Sequence, residues 1–397
     1  MTFDSRLLLA DETARNPYPV FARMRDEDPV YWDEATNSWY ITSYALVTTL
    51  LKDTTLSACP GDYIGEQSPA DLPVVKQAEA FFNSWMVFSD PPQQTRLRET
   101  VAPAFPRRTA EAWSAYTREL ATGFLARIGP GDRDLHNDFS LPLATRLTCA
   151  VLGVPAQDDA RVRQWSTDLI SFLSTPIADP QRAAVTMRAV EELRSYLQHV
   201  VVPALRAATD ERLMALEGMA DLDEESALAL FTQLLTGGVD PVASSLTTTL
   251  GLMAGWKPDR LKAVALEPDV TESVVEEALR FDPPFHFVPR TTTTPVRIGD
   301  HTVGVGQRVV LVVAAANRDP EQYENPDEFR PGRPGPVHLS FGLGKHYCLG
   351  AMLARVILRE SLRCAAEWML ESGTRASHGE RLPAFGVTTW SRMMVSV

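Results

Sequence analysis

Apolar positions recur at helical spacing through most of this chain. From about Thr95 to Trp256 they return every three or four residues, which predicts a mainly helical body. Asp221 with Glu224 three residues on forms a capping signal, and Ala227, Phe231, Leu234 and Leu235 follow on one face. Continued to Gly255, this helix is roughly 50 Å long at 1.5 Å per residue, enough to cross a whole domain. A second capped helix is expected from Asp269, with Glu272, to just before Pro283-Pro284. A last one runs from about Leu349 to Glu371, with Leu353, Ile357, Leu358 and Ala365 on one face. Strand signals are fewer. Val30-Tyr31-Trp32 and Trp39-Tyr40-Ile41-Thr42 flank an Asn/Asp-rich turn and read as a hairpin. Val309 to Val313, after the Gly304/Gly306 turn, reads as a buried strand. The expected fold is mainly α with small β sheets. No repeat or low-complexity linker interrupts residues 1–397, which read as a single domain.

Composition narrows the function classes. A 397-residue chain that is 45% apolar can bury a large core, yet it carries no long uninterrupted apolar run. The patch from Leu7 to Ala10 is too short for a membrane span and lacks a signal peptide's layout, so a cytoplasmic protein is expected. The net charge is −13, and no basic stripe with interleaved aromatics appears, which argues against a nucleic-acid partner. The four cysteines show no paired spacing, so neither a disulfide framework nor a structural zinc site is expected.

One cysteine stands apart. His338 to Arg355 reads HLSFGLGKHYCLGAMLAR. Gly342 and Gly344 free the backbone for a tight path. Cys348 precedes the last helix, where free N–H groups and the dipole favour an anionic sulfur. Gly350 removes a side chain where a flat cofactor could lie close to the helix start. Phe341, Gly342, His346, Cys348 and Gly350 fall in the string Phe-Gly-x-Gly-x-His-x-Cys-x-Gly, which resembles the haem-binding loop of the cytochrome P450 family. The resemblance implies haem b, with Cys348 as axial thiolate to the iron. Cys59, Cys149 and Cys364 are read as small buried residues.

Other motifs follow in the family's order. Glu277-Ala278-Leu279-Arg280 resembles its ExxR motif, and Arg333 matches the arginine that completes a Glu–Arg–Arg scaffold. Arg290, Arg98 in the segment DPPQQTRLR, and His346 match groups that hold the two haem carboxylates. Gln94 stands where the family usually has histidine, so that contact is expected to be neutral or absent.

The pattern breaks on the long helix. Where the family carries Ala/Gly-Gly-x-Asp/Glu-Thr, this chain reads Gly237-Gly238-Val239-Asp240-Pro241. Gly238, Asp240 and Pro241 are the expected catalytic stretch, but Pro241 offers no hydroxyl for proton delivery. Proline also lacks an N–H for the Gly237 carbonyl and bends the helix. By resemblance the substrate pocket is lined by residues 61–86, 165–173, 234–239, 285–288 and 385–389. Trp85, Leu234, Val239, Phe285, His286 and Phe287 are its expected contacts, and Phe81, Phe82 and Phe172 fit either this pocket or the core. Ser244 and Ser245 are expected to lie far from the iron. Gly304 and Gly306 precede a strand, the wrong context for a dinucleotide site. Electrons are therefore expected from a ferredoxin and its reductase, docking on Lys345, Arg355, Arg359 and Arg363. The reading is a monooxygenase acting on a small or medium organic molecule, plausible in secondary-metabolite biosynthesis. A non-oxygenating haem-thiolate enzyme for cyclisation, C–C or C–N coupling or N–O rearrangement stays open because of Pro241, and a haem sensor is the remote alternative.

Overall fold

The helix Glu224–Met253 is apolar on nearly every side, and a helix of that kind belongs inside a protein. The computed structural model, which describes residues 7–60, 71–175, 179–214 and 216–397, places it at the centre of the helical body. Helices Leu141–Val151, Asp159–Leu173, Pro268–Phe281 and Ala351–Ser372 pack around it. Its cap is Asp223, whose carboxylate accepts the Ser226 N–H at 2.9 Å, and not the expected Asp221, which ends the preceding 3-10 turn. Pro241 sits within the helix without ending it. The neighbouring Gly238 has a packing role: a Cβ there would meet the Thr148 side chain at 2.7 Å, so only glycine lets helix Leu141–Val151 approach this closely.

Five strands build the main sheet. They are β1 (Val30–Asp33), β2 (Ser38–Ile41), β3 (Leu56–Ser57), β4 (Phe287–Thr292) and β5 (Arg308–Val312), in the order β1-β2-β5-β4-β3. The hairpin has Tyr31 opposite Tyr40 and Trp32 opposite Trp39. Strand β5 is apolar on both faces, as an interior strand must be. Val309 and Leu311 pack with Ile41, Val47 and Leu339, whereas Val310 and Val312 pack with Phe21, Met24 and Tyr40. Leu339 belongs to the cysteine loop, so the sheet also supports that loop.

The helix Pro268–Phe281 begins without a side-chain cap, and Asp269 lies in its first turn instead of capping it. Its far end carries the scaffold pair. Glu277 accepts Arg280 Nε at 2.7 Å, Arg333 Nε at 2.9 Å and the Arg330 N–H at 2.7 Å. Arg280 also donates to the Asn317 carbonyl at 2.8 Å. Asn317 in turn accepts the Leu339 N–H at 2.7 Å and donates to Ser340 Oγ at 2.8 Å. This buried chain ties three distant segments to the start of the cysteine loop.

Candidate active site

The cysteine loop is shaped by its backbone. Gly342 and Gly344 adopt φ of 66° and 70°, which side chains rarely tolerate. The Cys348 N–H donates to the Phe341 carbonyl at 2.8 Å, closing the loop beneath the sulfur. Three residues later the helix Ala351–Ser372 begins, and Cys348 accepts a backbone N–H from Gly350. Burial pushes the Cys348 thiol up, while that N–H and the positive Arg98 and Arg355 pull it down. Its exposed surface faces an internal cavity, not bulk water: the thiol lies deep in the fold on the wall of a chamber of about 430 Å³.

That chamber runs between the cysteine loop and the central helix. Gln94, Arg98, Arg290, Phe341, Gly342, His346 and Gly350 line it on the loop side. Gly350 would carry a Cβ into open space, so a side chain there would enter the chamber. Arg290 is 4% exposed, and Nη1 donates to the Pro289 carbonyl at 2.7 Å. Neither Arg290 nor Arg98 has a carboxylate ion pair among the described residues. Burial lowers Arg290 to about 10, with Asp90 opposing, and lowers His346 to about 4, aided by Arg290 and Arg98. Uncompensated cations converging on one chamber call for an anionic ligand. A flat dicarboxylate with a metal for the thiol fits this donor set. Gln94 departs from such a role: it is buried, and its amide donates to the Lys345 carbonyl at 3.0 Å, holding the loop.

Across the chamber stand Leu234, Gly238 and Pro241 of the central helix, with Trp85, Phe285 and Phe287 further round. Two expected contacts do not face it. Val239 is wholly buried in helix packing, on the opposite side of the helix turn. His286 is 2% exposed, and its Nε2 pairs with Thr388 Oγ1 at 2.9 Å. Burial drives His286 down to about 4, so it is a neutral core group. Phe81, Phe82 and Phe172 also belong to the core, with Phe82 stacked on Phe172 at 5.5 Å. Ile170 and Leu173 line the chamber, whereas Trp165 turns away to donate to Glu192 at 2.9 Å. Of the expected segment 61–86, residues 61–70 lie outside the described residues.

Asp240 points off the chamber towards helix Asp159–Leu173, where its carboxylate accepts the Ser166 hydroxyl. Burial raises Asp240 to about 6, against the pull of Ser166. Nothing in the local sequence links Ser166 to Asp240; only the packing of two helices does. Ser244 donates to the Thr388 carbonyl at 2.6 Å, but Ser245 lines the chamber one turn beyond Pro241, closer than expected.

The expected cationic docking cluster does not form as such. Arg355 pairs with Glu276 at 2.6 Å, Arg359 with Glu111 at 2.8 Å and with Glu360 at 2.9 Å, and Arg363 donates to the Ala265 carbonyl. Carboxylates offset the charges of Arg355 and Arg359; Arg363 has a carbonyl partner and no ion pair among the described residues, and Lys345 alone of the four is exposed. No helix of the described residues is long and apolar enough to cross a membrane.

Comparison with known proteins agrees with this geometry. The family model described as cytochrome P450 matches residues 62–364. The vitamin D(3) 25-hydroxylase of Pseudonocardia autotrophica is 32% identical, covering 86% of this chain and 83% of its own. The erythromycin C-12 hydroxylase of Saccharopolyspora erythraea is 31% identical, covering 91% and 88%. A ligand-free crystal structure of Mycobacterium smegmatis CYP164A2 superposes with a TM-score of 0.85 at 26% identity, over 99% of this chain and 100% of that one.

Proposed function

The chain belongs to the cytochrome P450 family, and from that premise we propose that it is a haem-thiolate monooxygenase for a small or medium, largely apolar molecule of secondary metabolism. The observation that carries this reading is one chamber with a thiol and unpaired cations on one wall and apolar groups on the other. Haem b, the family's cofactor, supplies an iron at which dioxygen is reductively activated. Cys348 would hold the metal, and Arg98, Arg290 and His346 would hold the two carboxylates. Burial favours the protonated Cys348 thiol, so a bound metal would have to displace that proton for the sulfur to ligate as thiolate.

Behind the opposite wall, turned towards helix Asp159–Leu173, Asp240 is raised to about 6, close enough to neutral pH for its carboxyl to take up and release a proton. Ser166 keeps that carboxyl in place. Pro241 has no hydroxyl to continue the path, but Ser245 lines the same chamber and its hydroxyl bonds no protein group among the described residues. We assign electron delivery to an iron–sulfur protein, for which exposed Lys345 beside the cysteine loop offers a cationic contact. The relatives are named as hydroxylases, which favours insertion of oxygen.

Pro241 on the chamber wall favours a second reading, in which bonds are coupled or rings closed without oxygen insertion. Turnover under labelled O₂ separates the two. One labelled atom in the product supports monooxygenation, and an unlabelled, cyclised or coupled product overturns it.

A further inference from the structure

Three side chains beside the cysteine loop are locked into one cluster. Arg355 lies over the Phe341 ring, with its guanidinium carbon 4.4 Å from the centroid. Its Nε and Nη2 donate to the two oxygens of Glu276 at 2.6 Å and 3.0 Å, and its Nη1 donates to the Tyr347 hydroxyl at 3.3 Å. A two-pronged grip of this kind fixes the plane of the guanidinium. His338 closes the arrangement. Its Nδ1 accepts the Ser340 N–H at 3.2 Å, which leaves the ring proton on Nε2, 3.1 Å from a Glu276 oxygen. The His338 ring also stands 5.6 Å from Phe341. Phe341 is the residue whose carbonyl accepts the Cys348 N–H at 2.8 Å, so the cluster rests on the loop that carries the sulfur.

Arg355 and Glu276 carry opposite charges, yet they do not cancel at Cys348. The Arg355 side chain is 24% exposed and that of Glu276 is 41% exposed. Solvent therefore screens the outer carboxylate more than the inner guanidinium. Accordingly Arg355, together with Arg98, pulls the Cys348 thiol down, and Glu276 exerts no comparable pull the other way. A net positive field favours whichever state of its neighbour is more negative. A thiolate-bound metal becomes more negative by one charge when it takes up one electron.

Resting on the haem-thiolate reading above, we infer that the charge of Arg355, held over the cysteine loop by Glu276 and His338, raises the reduction potential of the haem. In that step the reductant loses one electron, the iron passes from ferric to ferrous with Cys348 still ligated, and the cluster gains or loses no proton. Glu276 and His338 are positioning residues, acting through the place in which they hold Arg355.

The test is a redox titration of the substrate-free, haem-loaded protein, followed optically with dithionite and mediators. Arg355→Gln removes the charge and keeps an amide donor for Glu276. It should lower the one-electron reduction constant about tenfold, or about 59 mV. Arg355→Lys keeps the charge and should stay within about threefold of native. Glu276→Gln removes the opposing charge and should raise the constant, by about threefold because that carboxylate is the more screened. Opposite shifts are the signature of a field, since loss of a mere strut would move both variants the same way or neither. Shifts of one sign in Arg355→Gln and Glu276→Gln, no shift in either, or a potential in Arg355→Lys as low as in Arg355→Gln would overturn the assignment. If the Arg355 variants fail to hold haem, Glu276→Gln decides alone: a raised potential supports the assignment, and an unchanged or lowered one overturns it. The reduced carbonyl complex of the native protein keeps the two readings apart. A thiolate signature there leaves the haem-thiolate reading standing whatever the potentials show, and its absence counts against that reading instead.

Discussion

Asp240 offers the sharpest test of how the central helix supplies protons. Its carboxyl is raised from the ordinary 3.8 to about 6, chiefly because burial penalises the charged form. The difference corresponds to about 3 kcal/mol of unfavourable ionisation in the folded state. A raised carboxyl contributes stability that is fully present below its unfolded value and is lost as pH rises through the folded value. At pH 8 the native protein therefore carries the whole cost, and below about pH 4 it carries none. Asp240→Asn removes the ionisation and keeps an oxygen for the Ser166 hydroxyl. With unfolding entropy near 2.1 cal/mol/K per residue, about 3 kcal/mol raises the melting temperature of a chain this long by about 4 °C. The gain should be full at pH 8 and fall to about a third by pH 4.5, measured by thermal melts of haem-loaded protein across that range. The same change should slow turnover and erase any fall of the native rate as pH rises through about 6. A melting gap independent of pH, or an Asp240→Asn variant less stable than native at pH 8, would refute the reasoning. Stability gained together with activity lost is what a buried functional acid predicts.

The remaining expectations are shorter. Cys348→Ser should abolish the red-shifted band of the reduced carbonyl complex, and Cys59→Ser, Cys149→Ser and Cys364→Ser should each leave it intact. Glu277→Ala strips the counter-charge from Arg280 and Arg333, both nearly inaccessible, and should cost about 3–5 kcal/mol, read as a fall in denaturation midpoint and haem retention. Lys345→Glu should slow reduction by an acidic iron–sulfur protein at low salt and flatten the salt dependence of that rate. Arg359→Glu should instead lower stability, because it faces Glu111, Glu272 and Glu360.

Much of the site was legible because it is local. The path of residues 341–350 depends on glycines at fixed positions and on one helix start, and these are properties of neighbours in sequence. The central helix was legible for the same reason, although its cap slipped from Asp221 to Asp223 because both positions carry aspartate and only the backbone chooses between them. Arg333 was a match by family pattern, and the shared carboxylate of Glu277 gives it a physical reason. Periodicity could not say which side of the central helix faces the chamber: Val239 and Leu234 are equally apolar, and the one that packs is chosen by Leu141–Val151 and Asp159–Leu173 arriving from elsewhere.

Charge was the least legible property, and the failure has one physical form. Lys345, Arg355, Arg359 and Arg363 cluster in sequence, which suggested a surface built to attract an acidic partner. Each arginine met a partner that no local rule could supply: Glu276 from the helix before the sheet, Glu111 from a short helix 248 residues upstream, a carbonyl at Ala265. The reverse holds inside. Arg98 and Arg290 are far apart in sequence and unremarkable singly, yet they end beside one chamber without an ion pair among the described residues, although Asp90 exerts its field on Arg290. Arg355 and Arg359 on the long helix face are thus paired by tertiary packing, while the scattered Arg98 and Arg290 line the chamber without an ion pair among the described residues. Cations left unpaired by a fold that pairs most of its buried charge mark a binding site more strongly than cations adjacent in sequence, because keeping them so is costly and needs a compensating anion. By that criterion we propose that the loop-side wall receives the carboxylates of the cofactor, and that exposed Lys345 contributes to any electron-donor surface.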